Sequence, residues 1–401
     1  MSLTSPAHFG ARQTWIFAAA CGLIVANIYF AQPLTGPIGQ SLHLRAGTLG
    51  LIVTVTQLGY AGGLLLLVPL GDLLENRRLI ATTLIGATVG LAGMALAPSS
   101  TPFFLGAFLL GLCSVAAQML IPFAAQLAPD ASRGRVVGNV MSGLMAGILL
   151  SRPVASVIAS ETGWRSVFGL SAGLTLILAG VLSRILPIRH PHTGLTYGAI
   201  VRSLKVLLFT TPVLQRRAAY QAFLFGTFSL FWTAVPLLLA GPTFGLGQQG
   251  IALFALAGAA GTVVAPVAGR LADRGLTRLC TGICMALVVA SFVVGWRGAR
   301  SASIPLLVVA AIGLDLGVTA NLVLGQRAIF SLPSEIRSRL NGIFIAIFFL
   351  GGAAGSALAG YANARGGWTA VTEIGIGFGC VAFLLYLTEF RSARRTSATE
   401  A

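Results

Sequence analysis

The chain has 401 residues, of which 56% are hydrophobic and 9% charged, with a formal net charge of +16 at pH 7. A soluble domain carries about 25% charged residues, so this composition excludes an ordinary soluble fold, and a mean hydropathy of +0.89 points to the membrane. The charge does not point to nucleic acid: the 26 basic residues, all arginine except Lys205, fall in short punctuations between apolar runs and not on one wetted face.

A hydrocarbon core of about 30 Å needs about 20 apolar residues per helix. Cutting at charges and Gly/Pro turns gives twelve such runs: 14–35, 47–71, 79–97, 102–128, 136–159, 164–186, 217–240, 248–271, 278–297, 303–330, 339–361 and 368–389. The first contains "FAAAC", which imitates a lipoprotein cleavage site. Its apolar run before Cys21 is too short for a signal h-region and continues to Phe30, so it is expected to stay as a span.

Helix 5 carries "MAGILLSRPVAS", with Arg152 and Pro153 inside an apolar run. Charges inside spans face cavities or partners far more often than lipid; the competing reading is a side chain that snorkels to the outer surface. Gly143, Gly147, Ser151, Ala155 and Ala159 are each four apart, a small-residue stripe that lets helix backbones approach closely. Helix 11 repeats this with Gly351, Gly355 and Ala359.

The connection from Pro187 to Arg216 is the longest and is basic. Within it, "LTYGAIVRSLKVLLF" predicts an amphipathic surface helix. His190 and His192 read as a solvated loop, since no third metal ligand is evident, and the five cysteines read as small buried hydrophobes. Only one acid lies deep, Asp315 in "AIGLDLGVTAN" of helix 10, while Glu373 is peripheral in helix 12. Burial disfavours a charged carboxylate unless a cation opposes it, which makes Asp315 the candidate proton carrier. The alternative is a fixed ion pair with Arg152 or Arg327. "GIGFG" in helix 12 follows no strand and reads as helix packing, not a nucleotide loop.

Placing the N-terminus in the cytoplasm puts 19 basic residues inside and 5 outside, with Arg152 and Arg327 within the spans. Both termini are therefore expected to be cytoplasmic. The chain also repeats: "GRVVGNVMSGLMAGILLSRPVASVIASETGWRSV" lies on "SRLNGIFIAIFFLGGAAGSALAGYANARGGWTAV" at an offset of 204, so that Arg135 meets Arg339 and Trp164 meets Trp368. At an offset of 201, Asp72 meets Asp273. The expected class is an all-α membrane protein of twelve transmembrane helices in two pseudo-symmetric six-helix bundles, 1–186 and 217–401, joined by a cytoplasmic linker, 187–216. Parallel repeats of this kind put a substrate site near the midplane between the halves.

The loops after helices 2 and 8 carry the clearest motif. "GRLADRGLTR" supplies Gly269, Asp273, Arg274 and Arg278, and "PLGDLLENRR" supplies Asp72, Arg77 and Arg78. Over nearly its whole length the chain resembles the major facilitator superfamily, whose G-x-x-x-D-R-x-G-R-R loop these segments match; Leu276 in the second, and Leu73, Glu75 and Asn76 in the first, depart from it. "ANIYFAQPL" in helix 1 and "SRGRVVGNVMSG" opening helix 5 are similar to the bacterial drug:proton antiporter branch. That branch has G-x-x-x-G-P-x-x-G-G in helix 5, where this chain keeps Gly147 but has Ser151 for the second Gly and Arg152 for the Pro.

The amino end of a helix carries partial positive charge. Asp72 is therefore expected to bind the start of helix 11 at Arg339, and Asp273 the start of helix 5 at Arg135, holding the cytoplasmic side shut. The competing reading is that these charges mark solvated turns. In the superfamily, helices 1, 4, 7 and 10 line the cavity. The resemblance thus implies Asn27, Gln32, Gln118, Gln221 and Asn321 as substrate-cavity residues with Trp232 as an aromatic wall, and helix 2 adds Gln57 and Tyr60. Interhelical hydrogen bonding is the competing explanation of the polar ones.

The preferred reading is a monomeric secondary transporter of a bacterial inner membrane, moving a small organic solute outward in exchange for protons. No GxxxxGK[ST] phosphate loop is present, so ATP is not the expected driver, and no cofactor, metal or nucleic-acid partner is expected. Uptake or facilitated diffusion of a sugar-like or amino-acid-like solute is the alternative coupling. A non-transporting sensor is the alternative of another class, as is a membrane enzyme, which would need a cluster of His, Asp, Glu or Cys at one depth.

Overall fold

A computed structural model describes residues 10–129, 132–188 and 196–399. The described residues are helix and connecting turns. The spans are α1 Ala11–Tyr29, α2 Ala46–Asp72, α3 Asn76–Leu96, α4 Ser100–Leu127, α5 Arg133–Thr162, α6 Trp164–Ile185, α7 Pro212–Ala240, α9 Thr277–Arg300 and α10 Ile304–Phe330. Between α7 and α9 lies α8, built from Gln248–Ala255 and Ala260–Asp273 with a 3-10 turn, Leu256–Ala259, between them.

The last helical run, Ser334–Thr399, has 66 residues and one non-helical residue, Gly367, at φ 58°. At 1.5 Å per residue it would reach about 100 Å, three times the hydrocarbon thickness. It therefore crosses twice, as α11 (334–366) and α12 (368–399), which completes the twelve spans expected from the sequence.

Gly163, the single residue between α5 and α6, has φ 85°. It lies 204 residues before Gly367, the same offset as the sequence repeat. Both turns need the left-handed region that glycine enters without a Cβ clash. Each is followed by a tryptophan: Trp164 packs edge-on to Phe103 and Phe168, and Trp368 donates to the Gly295 carbonyl at 3.1 Å. The repeat thus extends from residue types to backbone conformation.

The small-residue stripes act where the sequence places them. A β-carbon on Gly143 or Gly147 of α5 would fall on the backbone of Ala18 or Gly22 in α1. In α11, Gly351 and Gly355 meet the backbones of Ala222 and Gly226 in α7 in the same way. Without a hydrophobic drive between helices in lipid, such backbone contact supplies the packing.

Tyr197–Thr210 forms a helix, as its sequence predicts, capped by the Thr196 hydroxyl. Tyr197 donates to the Leu66 carbonyl at 3.0 Å, and Ser203 accepts from Arg339 at 3.4 Å, so the linker helix touches both α2 and α11. His190 and His192 lie outside the described residues.

At one end of the molecule the two sets of six spans are zipped together. Gly50 of α2 packs on the backbone of Ser356 and Gly360 in α11, and Thr54 bonds to Ser356 at 2.9 Å and to the Ala353 carbonyl at 3.2 Å. Gln249 of α8 donates to Glu161 of α5 at 3.3 Å at the same end.

Candidate functional site

Away from that zipped end the spans part around a cavity of about 510 Å³. Its rim is Val68, Ala125, Val137, Phe330 and Ser338, at the end of the molecule that carries Asp72 and Asp273. Its wall is predominantly apolar and strongly aromatic. Tyr60 stands 4.5 Å from Phe349 between ring centroids, Phe348 stacks on Phe349 at 4.9 Å, and Phe225 stacks on Phe228 at 5.2 Å.

The cavity ends blindly at Arg152 and Asp315, each 3% exposed. Trp232 Nε1 donates to Asp315 Oδ1 at 2.8 Å. Arg152 Nε donates to Gln32 Oε1 at 2.8 Å, and its guanidinium lies over the rings of Trp232 (4.4 Å), Phe228 (4.9 Å) and Tyr29 (5.4 Å). A guanidinium is planar and weakly hydrated, so aromatic faces replace part of the water it loses.

Carboxylate and guanidinium face one another across Gly258, in the 3-10 turn of α8. Asp315 Oδ2 and Arg152 Nη1 lie 2.9 and 3.4 Å from the place a β-carbon on that glycine would take. Among the described residues they are neighbours without a direct ion pair, and Trp232 is the group that donates to the carboxylate. Arg152 Nη2 and Gln32 Nε2 have no hydrogen-bond partner among the described residues. Beyond Arg152, Pro33, Val235, Leu239, Ile251 and Phe254 seal the zipped end, leaving a void of about 10 Å³.

Of the residues expected at a substrate site, Tyr60, Gln118 and Gln221 line the cavity with Arg152 and Asp315. Gln118 donates to Tyr60 Oη at 3.2 Å. Asn321 stands behind Gln221, donating to its Oε1 at 2.7 Å, while Gln32 and Trp232 hold the two charged groups from behind. Two expected residues lie elsewhere. Asn27 turns away from the cavity to α6, where Thr175 and Ser171 bond to its amide. Gln57 bridges the spans of the two repeats, donating to Ser229 at 2.7 Å and accepting from Ser356 at 3.1 Å. In both cases a buried amide finds protein partners, the outcome hydrocarbon enforces on polar groups without water.

Sequence reasoning missed Tyr29, Phe228 and Gly258. Tyr29 ends α1, and Gln32 follows in the turn after it, its backbone N–H donating to the Tyr29 carbonyl at 3.1 Å. Gly258 carried no signal beyond its Gly/Ala-rich surroundings.

The charges at the open end sort mostly within one set of six spans. Arg77 and Arg78 reach Glu75, at 3.9 and 3.0 Å. Asp273 pairs with Arg327 at 3.0 Å instead of Arg135, which is exposed. Arg278 pairs with Glu389 at 3.5 Å, and Arg274 is exposed. Asp72 ends a 3-10 turn and is also exposed, while Arg339 reaches the linker helix. In this conformer the cavity is open at this end, and Asp273 takes its partner within the same set of six spans. Both members of the Asp273–Arg327 pair are more than half exposed. Asp273→Asn should therefore lower stability by less than about 1 kcal/mol. A larger loss in a denaturation series would show the pair to be a buried structural contact.

Among the described residues no three metal-ligating side chains cluster. A twelve-span helical bundle, built from two repeats around a cavity sealed at one end and open at the other, has the architecture of an alternating-access carrier. The chain belongs to the Major Facilitator Superfamily, which it matches over residues 14–329 and 263–401. It is 39% identical over 375 residues, 94% of this chain and 95% of the relative, to "Uncharacterized transporter YgaY" of Escherichia coli O157:H7. Identity is 33% over 361 residues, 90% of this chain and 83% of the relative, with "Probable transporter SCO4007" of Streptomyces coelicolor. The crystal structure of a D-xylose-proton symporter shares the fold, with a TM-score of 0.74 at 18% identity over 94% of this chain and 96% of that one. The family and these relatives are transporters, not enzymes.

Proposed function

We propose that this protein is a secondary active transporter of the bacterial inner membrane that moves a small organic solute by alternating access and couples it to protons through Asp315. One observation carries the reading: a cavity sealed on one side runs to a blind end that bears the one carboxylate and, beside it, the one cation that line it among the described residues. Residues 1–186 and 217–401 act as rigid bundles joined by 187–216, and the protein works as a monomer without nucleic acid or cofactor. With both termini cytoplasmic, the cavity of this conformer faces inward. Asp72 and Asp273, with Arg77, Arg78, Arg135, Arg274, Arg278 and Arg339 around them, close that side in the opposite conformer.

Two directions of coupling differ in sign. In an exchanger, solute and proton compete for the site, and the partial helix 5 motif supports this export reading. In a cotransporter each favours the other's binding, which a fixed cation beside a protonatable acid supports for an anionic solute. Proteoliposomes loaded with a pH-sensitive dye and offered a metabolite and drug panel separate them. Internal acidification on solute entry marks cotransport and alkalinisation marks exchange. Solute movement with no pH response would overturn proton coupling.

Orientation has its own test. Single cysteines at Gly241 and Lys205 in a cysteine-free background should label from opposite faces of the membrane. Labelling of both from the outer face would overturn the topology.

A further inference from the structure

We infer that the solute is an amphipathic organic monoanion, its charged group held by Arg152 and its apolar body lying along the aromatic wall. The inference deepens the transport reading above and rests on it only for what the site is used for.

A guanidinium keeps its charge under all physiological conditions. Among the described residues Arg152 is buried with no carboxylate in ion-pair contact, and its Nη2 has no hydrogen-bond partner there. A buried charge without a directly paired counter-ion is costly, and aromatic faces, one amide oxygen and the neighbouring Asp315, which loses its charge on taking a proton, offset only part of that cost. The arrangement is completed by an anion arriving through the cavity, which Arg152 lines.

The two charged groups also decide the sign of the solute. Asp315 can lose its charge by taking a proton, whereas Arg152 cannot. The blind end is therefore neutral or positive and never negative. A cation meets at best a neutral site, but an anion meets a net positive one whenever Asp315 is protonated. The lining has one cation among the described residues, so one anionic group is accommodated and a polyanion is not. The rest of the wall speaks against a polyol. Phe225, Phe228, Phe348, Phe349 and Tyr60 offer ring faces, and the cavity is of the size small-molecule sites have, roughly 300–1,000 Å³.

The groups that face Asp315 are Trp232 from α7, Gly258 from α8, Arg152 from α5 and the Tyr29 phenol from α1; of these only Arg152 and Tyr29 are titratable or charged. An anion on Arg152 would stand close to the Asp315 carboxylate, and two like charges at that range in a water-poor site oppose one another. Anion and proton thus favour each other's binding, and they travel together.

The test uses the purified full chain in detergent with three probe acids: butyrate, 4-phenylbutyrate and indole-3-acetate. Each is compared with its primary amide and with the amine of matching skeleton, by thermal shift and by quenching of tryptophan fluorescence. The two aromatic acids should bind, roughly ten- to a hundredfold more tightly than their amides, the range for a hydrogen bond to a charged group. The amines should bind more weakly still. Arg152→Gln should erase the difference between acid and amide, and Arg152→Lys should keep part of it. Amides or amines that bind as tightly as the acids, or no binding by any acid, would overturn the inference. Because that comparison is made on the unsubstituted protein, it does not depend on either variant folding. Acid binding that needs Arg152, without flux in proteoliposomes, would sink the transport reading and leave the site. Flux of a neutral or cationic compound with no acid binding would do the reverse.

Discussion

Asp315→Asn is expected to abolish proton-driven accumulation of solute while solute exchange down its own gradient survives. Asp315 is the one carboxylate lining the cavity among the described residues, and it sits at the blind end. Asparagine keeps the size of the side chain and an oxygen that accepts from Trp232 Nε1, so the 2.8 Å bond and the local packing should persist. What is lost is the ability to take and release a proton. For one proton per solute, a pH gradient of one unit sustains about a tenfold concentration ratio. In the variant that ratio should fall to one, with counterflow of labelled solute retained. Proteoliposomes with an imposed pH gradient measure both. Proton-driven accumulation at the unsubstituted level in Asp315→Asn would remove this residue from the coupling mechanism.

Gly147→Leu should prevent the first six spans from assembling. At this residue α5 lies on α1 so closely that a β-carbon would overlap the backbone of Gly22. Backbone cannot swing aside as a side chain can, so the helices must separate along several turns. That separation would pull Arg152, about a turn and a half further along α5, off Gln32 and the Tyr29 ring. Ordinary overpacking costs roughly 1–3 kcal/mol where side chains can adjust. Here the cost should exceed that range and appear as loss of a monodisperse peak in size-exclusion chromatography. Gly173 is the matched control, since nothing lies within 4 Å of its β-position and it is exposed, so Gly173→Leu should be tolerated. Equal behaviour of the two variants would show that the close contact of α1 with α5 is dispensable.

Particular residues show what was legible before the structure. The stripe through Gly143 and Gly147 and its counterpart in helix 11 were readable because small residues four apart have one common use in lipid, close helix contact. The depth of Arg152 and Asp315 followed from counting along their spans. That both lie on the cavity side also agrees with the cost of facing them to lipid. Asn27 and Gln57 were not legible in the same way. Their spans are apolar on every face, so no polar stripe tells how each helix is rotated about its axis. A buried amide must find partners, but those partners, Ser171 and Thr175 for Asn27, Ser229 and Ser356 for Gln57, come from helices distant in sequence.

Membrane class, twelve spans, the internal repeat at an offset of 204 and the residues that place charge in the bilayer were readable from the chain alone. Each follows from local quantities: apolar run length, glycine and proline positions, and the cost of a charge at depth. The packed bundle was needed to show that Trp232, not Arg152, bonds to Asp315, that Gly258 opens the space between them, and that Asp273 pairs with Arg327. Those outcomes depend on the rotation and separation of packed helices. In hydrocarbon, packing and partner-finding set both, and residues on different helices, such as Trp232 and Asp315 or Asp273 and Arg327, meet there.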